Sequence, residues 1–275
     1  MKALPMPVVS RLLIALGFVL LPAALPAHEF WIEPQDYQVE SGAPLIADLR
    51  NGQHFQGITL GWLANRFSRF EIHQTAGPVP VSGRMGDIPA LQVPGLAPGL
   101  AVIVHESTPS RLTYDDFDKF RAFVDEKDLR GTLDTHTAKG WPTGGFRESY
   151  TRHAKALVQI GGNAEGGDLA AGMATEFVAQ NSPYRPDYQG QLWVQLLDDA
   201  APRPDALIEV YEKAPSGAVH YRRLRSNAQG MALIKTRAQH RYLLNAVIMR
   251  PHPRPEDGAL WLSLWASLVF ADPRP

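Results

Sequence analysis

Short apolar stretches separated by Gly/Pro-rich breaks dominate the chain. Residues 30–32, 45–49, 58–62, 70–74 and 100–105 are brief, rich in β-branched, aromatic and leucine residues, and bounded by turn formers. The pattern resumes at 191–197, 206–212, 219–224, 232–236, 242–249 and 260–270. Runs this short predict strands of a sandwich or barrel, not strands alternating with helices. Segment 206–212 (ALIEVYE) alternates well beyond its first residues, and 227–230 (NAQG) predicts a turn between two strands.

One stretch differs. Phe117, Phe120 and Val124 recur at helical spacing behind Thr113 and Asp116, which stand as a capping-box-like start. This predicts a helix near 113–129 that ends at Gly131. Its acidic residues, Asp115, Asp116, Asp118, Asp125 and Glu126, are expected to form a solvated face. Residues 131–145 are expected to form a loop holding His136 and Trp141, and 146–160 fits either helix or strand. The Gly/Ala-rich segment 161–172 reads as a linker. The expected fold is therefore all-β: two β-sandwich domains of immunoglobulin or transthyretin type, 28–172 and 173–275, with a short helical insert in the first.

Residues 1–27 stand outside that pattern. Lys2 and Arg11 precede the compact apolar run 12–20, and Ala27 suits the position before a cleaved bond, as in a secretory signal peptide. The run is short for a membrane span, which needs about 20 residues. No later segment has the length and apolarity to cross. Cleavage would leave His28 at the N-terminus of a periplasmic protein with no membrane span.

Composition narrows the chemistry. The 275 residues contain no cysteine, which excludes disulfides, thiolate metal sites and a cysteine nucleophile. Lys and Arg total 27 against 28 Asp and Glu, with no basic run, which argues against nucleic acid as a partner. No nucleophile elbow, P-loop, dinucleotide fingerprint or HExxH is present, and no local motif marks a catalytic set, so a non-enzymatic role is expected.

The sharpest candidate is His28. As a mature N-terminus it would offer an α-amine and an imidazole to one metal ion. A second imidazole would complete a three-nitrogen set suited to Cu(II) or Ni(II). The other histidines are 54, 73, 105, 136, 153, 220, 240 and 252. His105 closes a strand beside Glu106 and His136 lies in the long loop; these two are the further candidate ligands. Trp193, Trp261 and Trp265 lie in strand-like runs and are expected in the core.

The start AHEFWIEP (27–34) is similar to the opening of the DUF4198 family. HESTPSRLTYDDFDKFRAFV (105–124), GFRESYTRHAKALV (145–158) and LWLSLWASLVF (260–270) resemble its signatures across nearly the whole mature chain. The family is described as resembling the periplasmic component of cobalt/nickel ABC-type transport. The resemblance thus implies an exported accessory for uptake of nickel, cobalt or copper, served by an inner-membrane permease or an outer-membrane receptor. It places His28 at the family's opening histidine and His105 and His136 near its signatures. Arg147, Glu148, Tyr150 and Arg152 match the second signature and read as structural pairs. Two other functions fit the sequence: a sandwich module binding a protein or glycan, and a copper enzyme built on an N-terminal histidine.

Overall fold

The computed structural model describes residues 28–162, 165–255 and 258–275; the expected signal peptide lies outside them. The first half contributes β1 (Glu29–Pro34), β2 (Gln38–Val39), β3 (Leu45–Gln53), β4 (Gln56–Leu60), β5 (Phe67–Gln74), β6 (Gly77–Pro80), β7 (Leu91–Val93), β8 (Gly99–Ser107) and β9 (Ser110–Tyr114). Helices α1 (Phe117–Glu126) and α2 (Thr132–Ala138) precede the long strand β10 (Phe146–Ile160). The second half adds β11 (Thr175–Ala179), β12 (Gln191–Asp198), β13 (Ala201–Pro202), β14 (Leu207–Lys213), β15 (Val219–Arg225), β16 (Met231–Lys235), β17 (Arg241–Pro251) and β18 (Ala259–Ala271). The chain is β-rich with a short helical insert.

Among the described residues the strands form one ten-stranded sheet and two four-stranded sheets. The large sheet runs β15-β14-β17-β18-β10-β8-β5-β6, with β2 and β9 also paired to β10. Its spine is β10, which pairs in parallel with β18 from Glu148↔Trp261 to Ala156↔Val269. Strand β18 pairs in turn with β17, antiparallel, along eleven residues of each. The large sheet therefore takes strands from both sides of position 172. So does the main core, which joins Trp31, Phe55 and Leu157 to Phe177, Tyr211, Leu244 and Phe270.

Strand β3 shows the alternation a one-faced strand requires, Leu45, Ala47 and Leu49 inward with Ile46, Asp48 and Arg50 between them half-exposed. Strand β10 loses alternation in its second half, where His153 to Ile160 are all buried. Packed layers cover both faces there, and no solvent face remains to enforce polarity.

The helical insert departs from expectation at its start. Thr113 lies in β9 opposite Arg147, and Asp116 caps α1 by accepting from the Asp118 amide at 2.9 Å. Asp115, Asp116, Asp118, Asp125 and Glu126 are exposed, as expected of a solvated face. Helix α2 occupies part of the expected loop. Its seven residues are too few for an apolar period to show, and Gly131 enters it with φ +75°. Both helices cover a second aromatic cluster of Phe120, Phe123, Phe146, Trp261 and Trp265. Trp261 and Trp265 are buried as expected, whereas Trp193 is 43% exposed. Its neighbours Leu192 and Val194 take the inward face of β12, so alternation turns Trp193 out.

The segment expected as a linker is pinned. Lys155, fully buried on β10, reaches Asp168 at 2.7 Å and the carbonyls of Leu169 and Phe177 at 2.7 and 2.9 Å. The second oxygen of Asp168 accepts from the Ala179 amide at 2.7 Å. Glu176 accepts from the amides of Ala171, Gly172 and Met173 within 3.1 Å. The NAQG turn forms as expected, with Asn227 Oδ1 accepting from the Gln229 and Met231 amides.

Candidate functional site

A cavity of about 870 Å³ opens where the start of β1, the β3–β4 hairpin tip, β9, β10 and β18 meet; its wall includes His28, His54, Arg111, Glu148, Arg152 and Trp265. Strand geometry selects three of its residues. Glu148, Tyr150 and Arg152 are spaced by two on β10, so they share one face. Strand β9 sets Leu112 opposite Glu148, on that same face; Arg111, its neighbour on β9, also lines the cavity.

His54 arrives through a strained turn. Gln53 pairs with Gln56, leaving His54 and Phe55 as the two turn residues, at φ +52° and +59°. Such turns normally use Asn or Gly, because a side chain at positive φ is sterically costly. Burial holds it in place. The Phe55 ring is fully buried and meets Trp31 edge-on at 5.6 Å, and Lys213 lies 5.2 Å above it. With Phe55 turned in, His54 stays exposed and its ring stands edge-on to Tyr211 and Tyr221, at 5.9 and 6.2 Å. Glycines 52 and 57 face each other across the hairpin; a side chain on either would strike the opposing backbone.

A buried ionic network anchors the start of β1. Lys127 Nζ lies 3.2 Å from Glu29 Oε1 and 2.9 Å from Glu209 Oε2, with all three side chains nearly inaccessible. Tyr211 donates to Glu29 at 3.2 Å and Asn245 to Glu209 at 2.7 Å. Burial alone would lower the Lys127 pKa, but Glu209 and Glu29 together hold it above its ordinary value. Burial raises that of Glu29, partly offset by Lys127. His28, next in the chain, is half-buried at the cavity edge, and its carbonyl accepts from Arg152 at 3.0 Å.

Two groups in the cavity wall are shifted by burial. Glu148 accepts from Tyr114 at 2.7 Å and from the Ser263 hydroxyl, which in turn accepts from Trp265 Nε1 at 3.0 Å. Burial pushes its carboxyl toward the protonated form. The Arg152 guanidinium lies 4.7 Å from the Tyr150 ring centroid, and its Nε is buried without a hydrogen-bond partner. Burial lowers its pKa below the usual arginine value.

The three candidate ligands are not brought together. His105 is 3% exposed among Phe30, Phe67 and Phe70, at 4.9, 5.5 and 5.1 Å, and its Nδ1 has no partner. His136 is 1% exposed with both ring nitrogens engaged: Nδ1 accepts from Trp261 at 3.1 Å and Nε2 donates to the Pro142 carbonyl at 3.1 Å. Only His28 of the three lines the cavity. Among the described residues, no three His, Asp or Glu side chains converge as a metal site. Nothing local in the sequence marks His54, Arg111 or the cavity role of Tyr150 and Arg152. The one pointer to the last two is the alternating Glu148-x-Tyr150-x-Arg152, which sets them on one face only once 146–160 is known to be a strand.

His105 carries a pH prediction. Burial pushes its pKa down to about 3 from the ordinary 6.5. The unfolded chain then binds a proton that the folded chain refuses, so this contribution is complete above pH 6.5 and is lost as pH falls toward 3. The slope is about 1.4 kcal/mol per pH unit. His105→Phe is expected to retain stability at pH 7 and to lose that much less per unit on acidification, read by urea unfolding at pH 7 and pH 5. Equal losses in the two proteins would show that the imidazole is solvated.

A family model described as a domain of unknown function, DUF4198, matches residues 25–250. No curated protein matches the chain. Two solved structures are similar over most of its length. One is a tetra-tandem repeat from the extending region of a large adhesion protein: 11% identity, 90% of this chain, 50% of that chain, TM-score 0.21. The other is the D0-D1 domain of intimin: 10% identity, 87% of this chain, 97% of that one, TM-score 0.21. This chain thus spans half the length of the adhesion repeat, and at these scores neither likeness bears on its role. Among the described residues no helix is long and apolar enough to cross a membrane.

Proposed function

The chain belongs to the DUF4198 family, and from that premise we propose an exported, non-catalytic protein that holds a nickel, cobalt or copper ion at the His28–His54 edge of the cavity. It would pass the ion to an inner-membrane permease or an outer-membrane receptor. We read its sheets as two sandwich halves of immunoglobulin or transthyretin type joined through the large sheet. Cleavage after Ala27 is part of the same proposal.

The observation that carries it is the shared wall of His28 and His54. The antiparallel register pairs Glu29 with Gly52, which sets the two histidines just beyond the same end of the β1–β3 ladder. If His28 is the first residue, its α-amine and imidazole supply two nitrogens and His54 supplies a third, so two residues suffice where three side chains would otherwise be needed. The donor types fit a borderline metal. Such an ion would supply positive charge and open coordination positions. The chain would orient the two rings, His54 through its strained turn and His28 through Glu29 and Arg152. A set of nitrogens without thiolate suits a protein that must release its cargo. His105 and His136 have no part in this reading.

The test is calorimetry with Ni(II), Co(II), Cu(II) and Zn(II) on protein beginning at His28, checked by mass. Two controls run beside it: one residue added before His28, and His54→Ala. One-to-one binding should vanish with the extension and weaken by about tenfold or more in His54→Ala, the loss of one ligand. Binding indifferent to the extension would move the site elsewhere.

A further inference from the structure

The cavity behind the two histidines does not suit a bare ion. A metal with six waters fills roughly 200 Å³, taking about 30 Å³ per water, whereas the space is about 870 Å³, the size of a small-molecule site. Its charge is also wrong for a lone cation. Arg111 and Arg152 line it, and the carboxyl of Glu148 is already committed to Tyr114 and Ser263. A divalent ion placed beside the Arg152 guanidinium is repelled unless it arrives with negative charge of its own.

We propose that the metal enters as a complex with a small organic polycarboxylate, one carboxylate seated on Arg152 with Arg111 beside it, the ion facing His28 and His54. This rests on the metal reading above and names the form of its cargo. Three features of the wall carry it. A guanidinium presents five donors in a fork that matches a carboxylate. Arg152 commits one nitrogen to the His28 carbonyl and leaves its Nε buried without a partner. A buried donor in that state is costly, so the guanidinium gains by turning its fork toward an incoming carboxylate. Leu112, Ile58 and Trp265 provide an apolar wall for a carbon skeleton, and Ile58, 65% exposed, sits at the entrance. Because Arg152 touches the backbone of His28 itself, the anion site and the metal site lie within the span of one small ligand.

Citrate is the probe. Protein beginning at His28 is titrated with Ni(II) alone, citrate alone and preformed Ni(II)–citrate, for the unaltered chain and Arg152→Gln. The sign decides. Citrate lowers free Ni(II), so a protein that takes the bare ion must bind more weakly in its presence. The proposed site should bind Ni(II)–citrate about tenfold or more tightly than Ni(II) alone, the scale of one charge-assisted pair. In Arg152→Gln the gain should disappear: the ratio of Ni(II)–citrate to Ni(II) affinity should fall to one or below, whatever the loss of the His28 contact does to Ni(II) alone. If Arg152→Gln fails to fold, Arg111→Gln reads the same loss from the other strand. Weaker binding in citrate overturns the polycarboxylate cargo and leaves the metal site standing. Binding of citrate with no response to Ni(II) overturns the joint complex and the metal site together.

Discussion

Replacing Lys155 by methionine is expected to cost about 3–5 kcal/mol, or to prevent folding, because it removes one partner from a fully buried ionic set. The ammonium is inaccessible and reaches Asp168 and two backbone carbonyls at once. Methionine has nearly the same length, so packing survives while the charge does not. Asp168 would be left buried, and burial already raises its pKa. The segment near 168–176 then loses its tie to β10, although Glu176 still holds three of its amides. Urea unfolding measures the cost. The double variant Lys155→Met/Asp168→Asn should recover part of it, since an amide can stay buried without a counter-ion. A single-variant loss below about 1 kcal/mol, the range of a solvated pair, would show that water reaches the site.

Lys127→Met is expected to be comparably severe, about 3–5 kcal/mol by the same physics, and to reach the cavity as well. Without the ammonium, Glu29 and Glu209 confront each other in a space both occupy by virtue of Lys127. Two buried like charges raise each other's pKa. The sign follows from linkage. A carboxyl whose folded pKa is raised binds a proton more readily folded than unfolded, so its penalty is present at neutral pH and relieved as pH falls. The variant should therefore regain stability relative to the unaltered chain between pH 7 and about 5. A variant equally weak at both values would mean that cavity formation, not charge, dominates. Glu29 also anchors the residue after His28, so calorimetry at pH 7 should show weaker Ni(II) binding in this variant even where it remains folded.

Much of the architecture is legible from the chain. The strands stand out because Gly and Pro isolate short apolar runs, and those around 191–197 and 242–249 are found within two residues of their ends. The misreadings have local causes. Thr113 imitates a helix cap, but its pairing with Arg147 outweighs one capping bond. Residues 146–160 stay ambiguous because half of β10 is covered on both faces and carries no period of two. His28 is legible as a candidate from its place after Ala27. Its neighbours are not, because His54 depends on a turn that defies local preference and Arg152 reaches the His28 carbonyl from 124 residues away. Convergence of that range leaves no local trace.

The place of β18 has a consequence for how the molecule is assembled. Residues 259–271 lie between β17 and β10, the latter more than a hundred positions earlier in the chain. Until this strand is in place, the large sheet is two separate pieces with open edges, and closing it requires a loop of more than a hundred residues. Such topology folds slowly and exposes unpaired edges meanwhile. A chain shortened before residue 259 would thus not lose a tail: it would stop as two half-sheets, each offering a strand-hungry edge to its neighbours.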